Sequence, residues 1–340
     1  MKIVTPDYYS RFQCVGGECP DNCCIGWEID INDEMYEKYM SFSGALGEKL
    51  KKNISVSEDG CRCFKLTENE RCPFLNENNL CEIIISAGEE MLCDICNDHP
   101  RFHNCFGNLR ETGVGLSCIK AAEIILNNNE KTAFTESDSD EKSYDTDYDE
   151  ELLDYLIQVR AVFIEILQDR TLTIAQRAGR VLGTSEKIQD NIDKGQLSDI
   201  ILYDVFPKDG IPDYESCIGL LKELIPLNDE WTEKVNTLSE ESIVRSVEIL
   251  HENEAAAEQL LVYFIFRHFL SAVYDYDIMS KVKFAVFCTA VSYWLANGDL
   301  CKGACLASKE IEYCSENIDM VLDFSWTSEC MSTDMLVKMM

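Results

Sequence analysis

Cations are scarce in this chain, and they form no extended basic cluster: 30 Lys and Arg stand against 62 Asp and Glu, a formal charge of −32 over 340 residues. A surface that grips phosphates must be basic, so the composition argues against nucleic acid as a partner. The acidic excess is in the first place a solvated exterior, and beyond that a preference for basic partners, lysine side chains included. Long apolar runs are missing too. The two most apolar stretches, 260–273 and 282–296, are shorter than the ~20 residues of a spanning helix, and Arg267 and His268 interrupt the first. Both are expected to be buried helices, with no membrane involvement. The amino terminus, MKIVTPDYYSRFQ, has no apolar run behind its early lysine, which sets the expectation of a cytoplasmic, reducing location. No G-x-G-x-G follows a strand pattern at the head of a βα unit, since Gly113-Val114-Gly115 leads into LSC. The usual sign of a doubly wound adenosine-binding sheet is therefore absent. A C-x3-C-x2-C run is also lacking, because positions 26 and 89 hold Gly26 and Glu89, and no repeat of solenoid period is visible.

Cysteine, by contrast, is abundant and uneven. Twelve of the 18 lie in the first 118 residues. The densest stretch, FQCVGGECPDNCCIGW, places Cys14, Cys19, Cys23 and Cys24 at the spacing C-x4-C-x3-C-C, punctuated by Gly16, Gly17, Pro20 and Gly26. Such punctuation predicts a tight loop. A loop of this kind turns several thiolates toward one centre, as a soft metal or an iron–sulfur cluster requires. A disulfide knot is disfavoured by the chain's length, the reducing compartment expected and the awkward vicinal Cys23-Cys24 pair.

Downstream, WEIDI (27–31) alternates as a short strand, and Asn32 or Asp33 can cap a helix over 34–54 that breaks at Gly44 to Gly47. GCRCFKL predicts another strand with Cys61 and Cys63 on one face, either as ligands or packed beside them. Cys72 and Cys81 flank a turn built from Asn76 to Asn79, and a hairpin there brings them together. A helix is expected from Ile83 past Glu89 and Glu90 to Cys93 and Cys96, one turn apart on one face. CNDHPRFHNC then offers His99 and His103 as zinc ligands or as hydrogen-bonded loop residues. Cys118 stands at the start of another helix, whose positive end favours a thiolate.

Taken in order, C-x4-C-x3-CC-x-GW, CPFL…LC, C-x3-PR and LSC resemble the cysteine-rich metal-chelating family described by a CxxCxxCC pattern, although the first loop here has wider spacings. More narrowly they resemble the flagellin lysine-N-methylases, and LVYFIFRHFLSAVYD and KEIEYCSENIDMVL are similar to that family's helical carboxyl half. The resemblance implies a metal set of Cys14, Cys19, Cys23, Cys24, Cys72, Cys81, Cys96 and Cys118, forming two four-cysteine sites or one cluster with the rest structural. It implies an iron–sulfur cluster, in the first instance 4Fe–4S, or zinc, with Arg101 either neutralising the thiolates or forming an ordinary salt bridge. It also implies methyl transfer from S-adenosylmethionine to the ε-amine of flagellin lysines. No carboxylate or tyrosine spacing singles out a general base. The alternative is an iron–sulfur or zinc protein with a redox, sensing or noncatalytic flagellin-binding role.

The expected fold is mainly α: a cysteine-rich metal-binding region with short strands over 1–126, an acidic linker or exposed loop over 127–150, and an all-α helical bundle over 151–340. The linker, acidic and nearly free of aliphatics, does not fit a calcium loop. In the bundle, Leu152, Leu156, Val159, Phe163 and Ile166 form an amphipathic stripe, and a helix from Thr173 is interrupted at Gly183. Helices follow over 214–224, 229–238, 240–251, 255–274 and 279–297, with a last pair over 303–338. The aromatic residues Tyr263, Phe264, Phe266, Phe269 and Tyr274 are expected in the core, with the lining of an adenosine or lysine pocket as the alternative; His251 and His268 are expected as satisfied core or surface histidines, and Cys288 is a small core hydrophobe.

Overall fold

Three β-branched residues in succession, Ile3, Val4 and Thr5, favour an extended start, and β1 (Lys2–Pro6) becomes an inner strand of a four-stranded sheet. The structure, a computed structural model, describes residues 1–27, 29–56, 60–144, 147–207 and 210–340. Glu28 of the expected WEIDI strand, residues 145–146 of the expected linker and 208–209 lie outside them. The chain divides into two compact units: 12–102 with 118–120, and 1–11 with 103–117 and 121–340.

The smaller, cysteine-rich unit is built from short elements. Asn32 accepts a hydrogen bond from the Met35 N–H and caps α1 (Asp33–Ser41). After Phe42 and Ser43 comes α2 (Gly44–Lys52), so the break falls just ahead of Gly44. A small ladder pairs β2 (Ile54–Val56) with β3 (Arg62–Phe64), which holds Cys63 but not Cys61. Around Trp27 to Ile31 the described residues form only isolated bridges, Ile25 with Arg71 and Asp30 with Cys63. The expected single helix from Ile83 is two: α3 (Glu82–Ala87) and α4 (Asp94–Asp98). Gly88 separates them at φ +91, a conformation that L side chains rarely adopt. One hydrophobic cluster holds these pieces together: Tyr39, Leu50, Phe64, Phe74, Ile83 and Met91, with Cys72 and Cys93 among its members.

The larger unit combines the sheet with the helices. Beside β5 (Leu109–Val114) lies β4 (Arg101–Phe106), and β1 runs parallel to β5. Then comes α5 (Ile119–Leu126). Within the stretch expected to be a linker, β6 (Phe134–Asp138) adds antiparallel to the other side of β1, with the Thr5 and Thr135 hydroxyls 2.9 Å apart at directly opposed positions. Its sequence, FTESD, shows one solvated edge strand and no apolar alternation, which is why its polarity resembles a loop.

The helices begin with α6 (Glu150–Leu167), capped by Asp149, and α7 (Ile174–Ile192), opened by a capping box between Thr173 and Gln176. Gly183 does not interrupt α7. The Tyr203 carbonyl packs so closely that it would lie 2.6 Å from a Cβ there, so the glycine serves a close approach. There follow α8 (Tyr214–Glu223), α9 (Asp229–Asn236), α10 (Glu240–Glu252) and α11 (Glu254–His268), then α12 (Ala272–Asp275) and α13 (Ile278–Leu295). The chain ends in α14 (Leu300–Glu312), α15 (Ser315–Thr327) and α16 (Thr333–Lys338). By length and composition α13 could cross a membrane, yet 94% of it is buried within this fold, against α7, α10, α11, α14 and α15. It is the hub of the helical core. Phe264, Phe266 and Phe269 are buried, whereas Tyr274 is 57% exposed and lies outside that core. Cys288 is buried, and Cys217 and Cys330 meet at 3.1 Å, sulfur to sulfur.

Candidate functional site

The first loop turns as its glycines and proline suggest. A short 3-10 turn spans Gly16–Glu18, with Gly16 at φ +55 and its N–H 3.4 Å from the Cys14 sulfur. Gly17 lies so near the Asn78 carbonyl that a Cβ would sit 2.6 Å from it. The backbone also turns across the vicinal pair, with Ile25 N–H donating to the Asn22 carbonyl at 3.0 Å. Cys23 and Cys24 are therefore hydrogen-bonded to each other rather than splayed apart. That bond, then packing about the sulfur, pushes the Cys23 thiol up to about 12, against a lowering contact from His99. Burial raises the Cys19 thiol, which donates to the Asp21 carbonyl at 3.1 Å.

A second group of thiols occupies the core of the same unit. Cys72 and Cys93 are buried, and Cys24, Cys81 and Cys96 pack against the cluster they belong to. Cys93 and Cys96 stand 3.3 Å apart in a hydrogen bond that raises the Cys96 thiol far above its ordinary range and lowers Cys93. Burial pushes Cys72 up to about 11, with Cys81 and Cys93 adding to the rise and Lys49 opposing it. Tyr39, whose hydroxyl donates to the Met91 carbonyl at 2.7 Å, lies within the field of Cys72, Cys81, Cys93 and Cys96 together.

The chemistry of this donor set suits a soft cation. Five sulfurs crowd a low-dielectric core in which each ionised thiolate opposes the next, so they ionise together only around a compensating charge. Their positions are not yet those of a ligand shell: among the described residues no three His, Cys, Asp or Glu side chains converge as a metal site. The 3.3 Å between Cys93 and Cys96 is shorter than the about 3.8 Å edge of a sulfur tetrahedron built on 2.3 Å zinc–sulfur bonds. Cys14 is exposed beside Cys19 and Cys23, and Cys118, partly buried, immediately precedes α5. His99 neighbours Cys23 and Trp27, Arg101 lies over the Phe12 ring at 5.5 Å, and His103 hydrogen-bonds Thr112 at 2.9 Å. The family pattern marks Cys96 and not Cys93. Its signal was the i,i+3 spacing, which puts both on one side of the turn that opens α4.

The helical unit contains a different polar centre. Glu312, fully buried, accepts from His268 Nε2 at 2.6 Å, from Arg267 Nε at 3.2 Å and from the Tyr263 hydroxyl at 3.1 Å. Tyr263 in turn accepts from Arg267 at 2.6 Å and from the Leu116 N–H at 3.2 Å. Burial opposes the charge on Glu312, but Arg267 and His268 outweigh it and hold its carboxyl below the usual range. The same burial lowers His268, against the pull of Glu312. Such a mutually satisfied network links α11 to α14 through their side chains.

The family-model comparison falls on this helical part. The family model of the FliB lysine N-methylase C-terminal domain matches residues 160–337, just over half of the chain. A lysine-N-methylase of Salmonella typhimurium is 25% identical over 157 residues, 43% of this chain and 38% of that protein. The flagellar biosynthetic protein FliU of Salmonella muenchen is 25% identical over 150 residues, 41% of this chain and 85% of that protein. A lysine-N-methylase of Salmonella choleraesuis is 24% identical over 157 residues, again 38% of its length. The match thus spans less than two fifths of the two curated lysine-N-methylases. No solved structure matches the chain.

Proposed function

The chain belongs to the FliB lysine N-methylase family, and from that premise we propose that it is a protein-lysine N-methyltransferase that methylates flagellin in the cytoplasm with S-adenosylmethionine as donor. The family match over 160–337 carries the reading. The flagellar name of one relative supports flagellin as the substrate. The reaction needs a neutral amine, because a lysine with its ordinary pKa near ~10.4 is almost wholly protonated at neutral pH. Its nitrogen attacks the donor methyl, an N–C bond forms, and the S–C bond breaks with its electron pair returning to sulfur. S-adenosylhomocysteine leaves, and the nitrogen's extra proton passes to solvent or a base.

In this reading Cys24, Cys72, Cys81, Cys93 and Cys96 would hold an iron–sulfur cluster or zinc, with Cys14, Cys19, Cys23 and Cys118 as the further candidates. Bound there, the metal would neutralise the thiolates and cross-link a unit whose elements are too short to stand alone. The buried thiols favour a second reading as well, a metalloprotein without methyl transfer. Co-expression with cognate flagellin separates them. Methyl-sized mass increments on lysine peptides are expected with this protein and absent without it. Unchanged flagellin, with the protein soluble and metal-loaded, would overturn the methylase reading.

A further inference from the structure

The helical unit contains a cavity of about 610 Å³ between the sheet and α6, and we propose that it binds the methyl donor, an adenosyl sulfonium. The proposal rests on the methyltransferase reading and gives it a location. Strand register builds one wall. Val4 is paired with Glu111 on one side and Glu136 on the other, and residues two apart share a face, so Lys2, Leu109 and Phe134 point the same way. Helix α6 builds the other. Glu150, Asp154, Ile157 and Ala161 recur at helical spacing on one stripe, and the small side chain of Ala161 leaves room there.

Charge and shape then select the ligand. Arg160 grips Glu111 with both guanidinium nitrogens, one at 2.7 Å to Oε2, and also donates to the Phe266 carbonyl at 3.2 Å while lying 5.2 Å from the centre of its ring. This buried pair is neutral and fixed by its bidentate geometry. Lys2 pairs with Glu136 at 2.9 Å. What remains of the lining charge is Glu150 and Asp154, two solvent-exposed carboxylates that form no ion pair among the described residues. Phe106, Phe134, Tyr148 and Phe266 are among the residues that line the same space, with Phe134 packed on Phe266 at 4.8 Å between ring centres. Aromatic faces with uncompensated carboxylates favour an organic cation carrying a flat or apolar body. Two cations belong to the proposed reaction, the lysine ammonium and the sulfonium donor. The volume decides between them, since it matches the about 300–1,000 Å³ of sites that enclose whole cofactor-sized molecules rather than one extended side chain.

The test is equilibrium binding to the full chain of S-adenosylmethionine, S-adenosylhomocysteine and an acetylated lysine amide, with circular dichroism to establish that each variant is folded. Wild type should bind both adenosyl compounds. Ile157→Trp, which fills the cavity, should abolish binding of both. Asp154→Lys should weaken the cationic donor about tenfold and its uncharged-sulfur product distinctly less. Folded Ile157→Trp that binds the donor like wild type would overturn the location, and if wild type still methylates flagellin the family reading survives with its donor elsewhere. Saturable binding of the lysine amide, lost in Ile157→Trp while donor binding persists, would overturn it in favour of an acceptor channel. Failure of wild type to bind either adenosyl compound would overturn the location as well, and absence of flagellin methylation alongside it would remove the methyltransferase reading too.

Discussion

The two units solve the problem of burying polar atoms in opposite ways. In the helical unit the buried charges are paired by direct geometry: Glu258 receives Arg177 at 2.8 Å and Arg170 at 2.9 Å, and Glu312 is shared by Arg267, His268 and Tyr263. In the cysteine-rich unit the buried polar atoms are thiols, and they face mainly one another and a tyrosine. A carboxylate with an arginine completes its own shell, whereas a thiol cluster waits for something to complete it. The helical unit also has α13 to pack around, while the longest helices of the smaller unit, α1 and α2, have nine residues each. Helices of that length draw their stability from tertiary contacts. Under the proposed metal assignment, the contrast leads us to expect that the smaller unit depends on its bound metal for stability and the helical unit does not.

The sharpest way to break this contrast is to remove a core thiol. Cys72→Ser and Cys96→Ser should each lower bound iron or zinc and unfold the cysteine-rich unit, because a structural metal contributes on the order of 10 kcal/mol to such small folds. Hydrogen exchange should rise over 12–102 and stay low over α13, and Cys288→Ser should leave metal content unchanged. Full metal occupancy in both ligand variants would end the assignment. A colour with charge-transfer absorption would identify iron–sulfur, and a colourless, zinc-containing protein the alternative.

Helices were legible in the sequence wherever the local code was complete. Asp213, Asn228 and Ser239 each cap the helix that follows, and α8, α9 and α10 begin where those side chains put them. Thr173 did the same for α7, and Asn76 organised its turn by accepting from the N–H groups of Asn78 and Leu80. The sheet was not legible, since β1 finds its partners more than a hundred residues away at Leu109–Glu111 and Phe134–Asp138, and no local pattern in FTESD records that pairing. Gly183 misled for a related reason: what it admits, the Tyr203 carbonyl, is tertiary. The thiol positions were marked by spacing, but their grouping around Tyr39 was set by packing, as was the cavity beside α6.

A smaller loss is expected where the helical unit's own scheme is broken. Glu258 is fully buried, and Glu258→Ala strands Arg177, itself 2% exposed, without one of its two carboxylates. Breaking one side of such a pair costs about 3–5 kcal/mol. Thermal or denaturant unfolding of the helical unit should show that loss, while hydrogen exchange over 12–102 stays as in wild type. An equal loss of protection in both units would show that they do not stabilise themselves independently, and the contrast would fail.

The smallest effect comes from a carboxylate that, among the described residues, departs from the helical unit's rule. Glu310 is buried, accepts from the Leu227 N–H at 2.7 Å through Oε2, and leaves Oε1 without a hydrogen-bond partner among the described residues. Burial raises its carboxyl to about 7, with the Leu227 bond opposing the rise. The sign follows from linkage. The folded state holds this proton more tightly than the unfolded chain, whose ordinary value is 4.5, so stability from this group is full below that value, falls as pH rises toward 7 and is flat above it. Shifts of this size are worth at most about 3 kcal/mol. Glu310→Gln keeps an acceptor for Leu227 and cannot ionise, so the variant should lack that fall and be the more stable protein at pH 8, by about 1–3 kcal/mol. Unfolding curves at pH 4.5, 6 and 8 decide it. If the two proteins lose stability in parallel across this range, Glu310 is ionised and solvated in the fold, and the helical unit contains no exception to its pairing of buried charge.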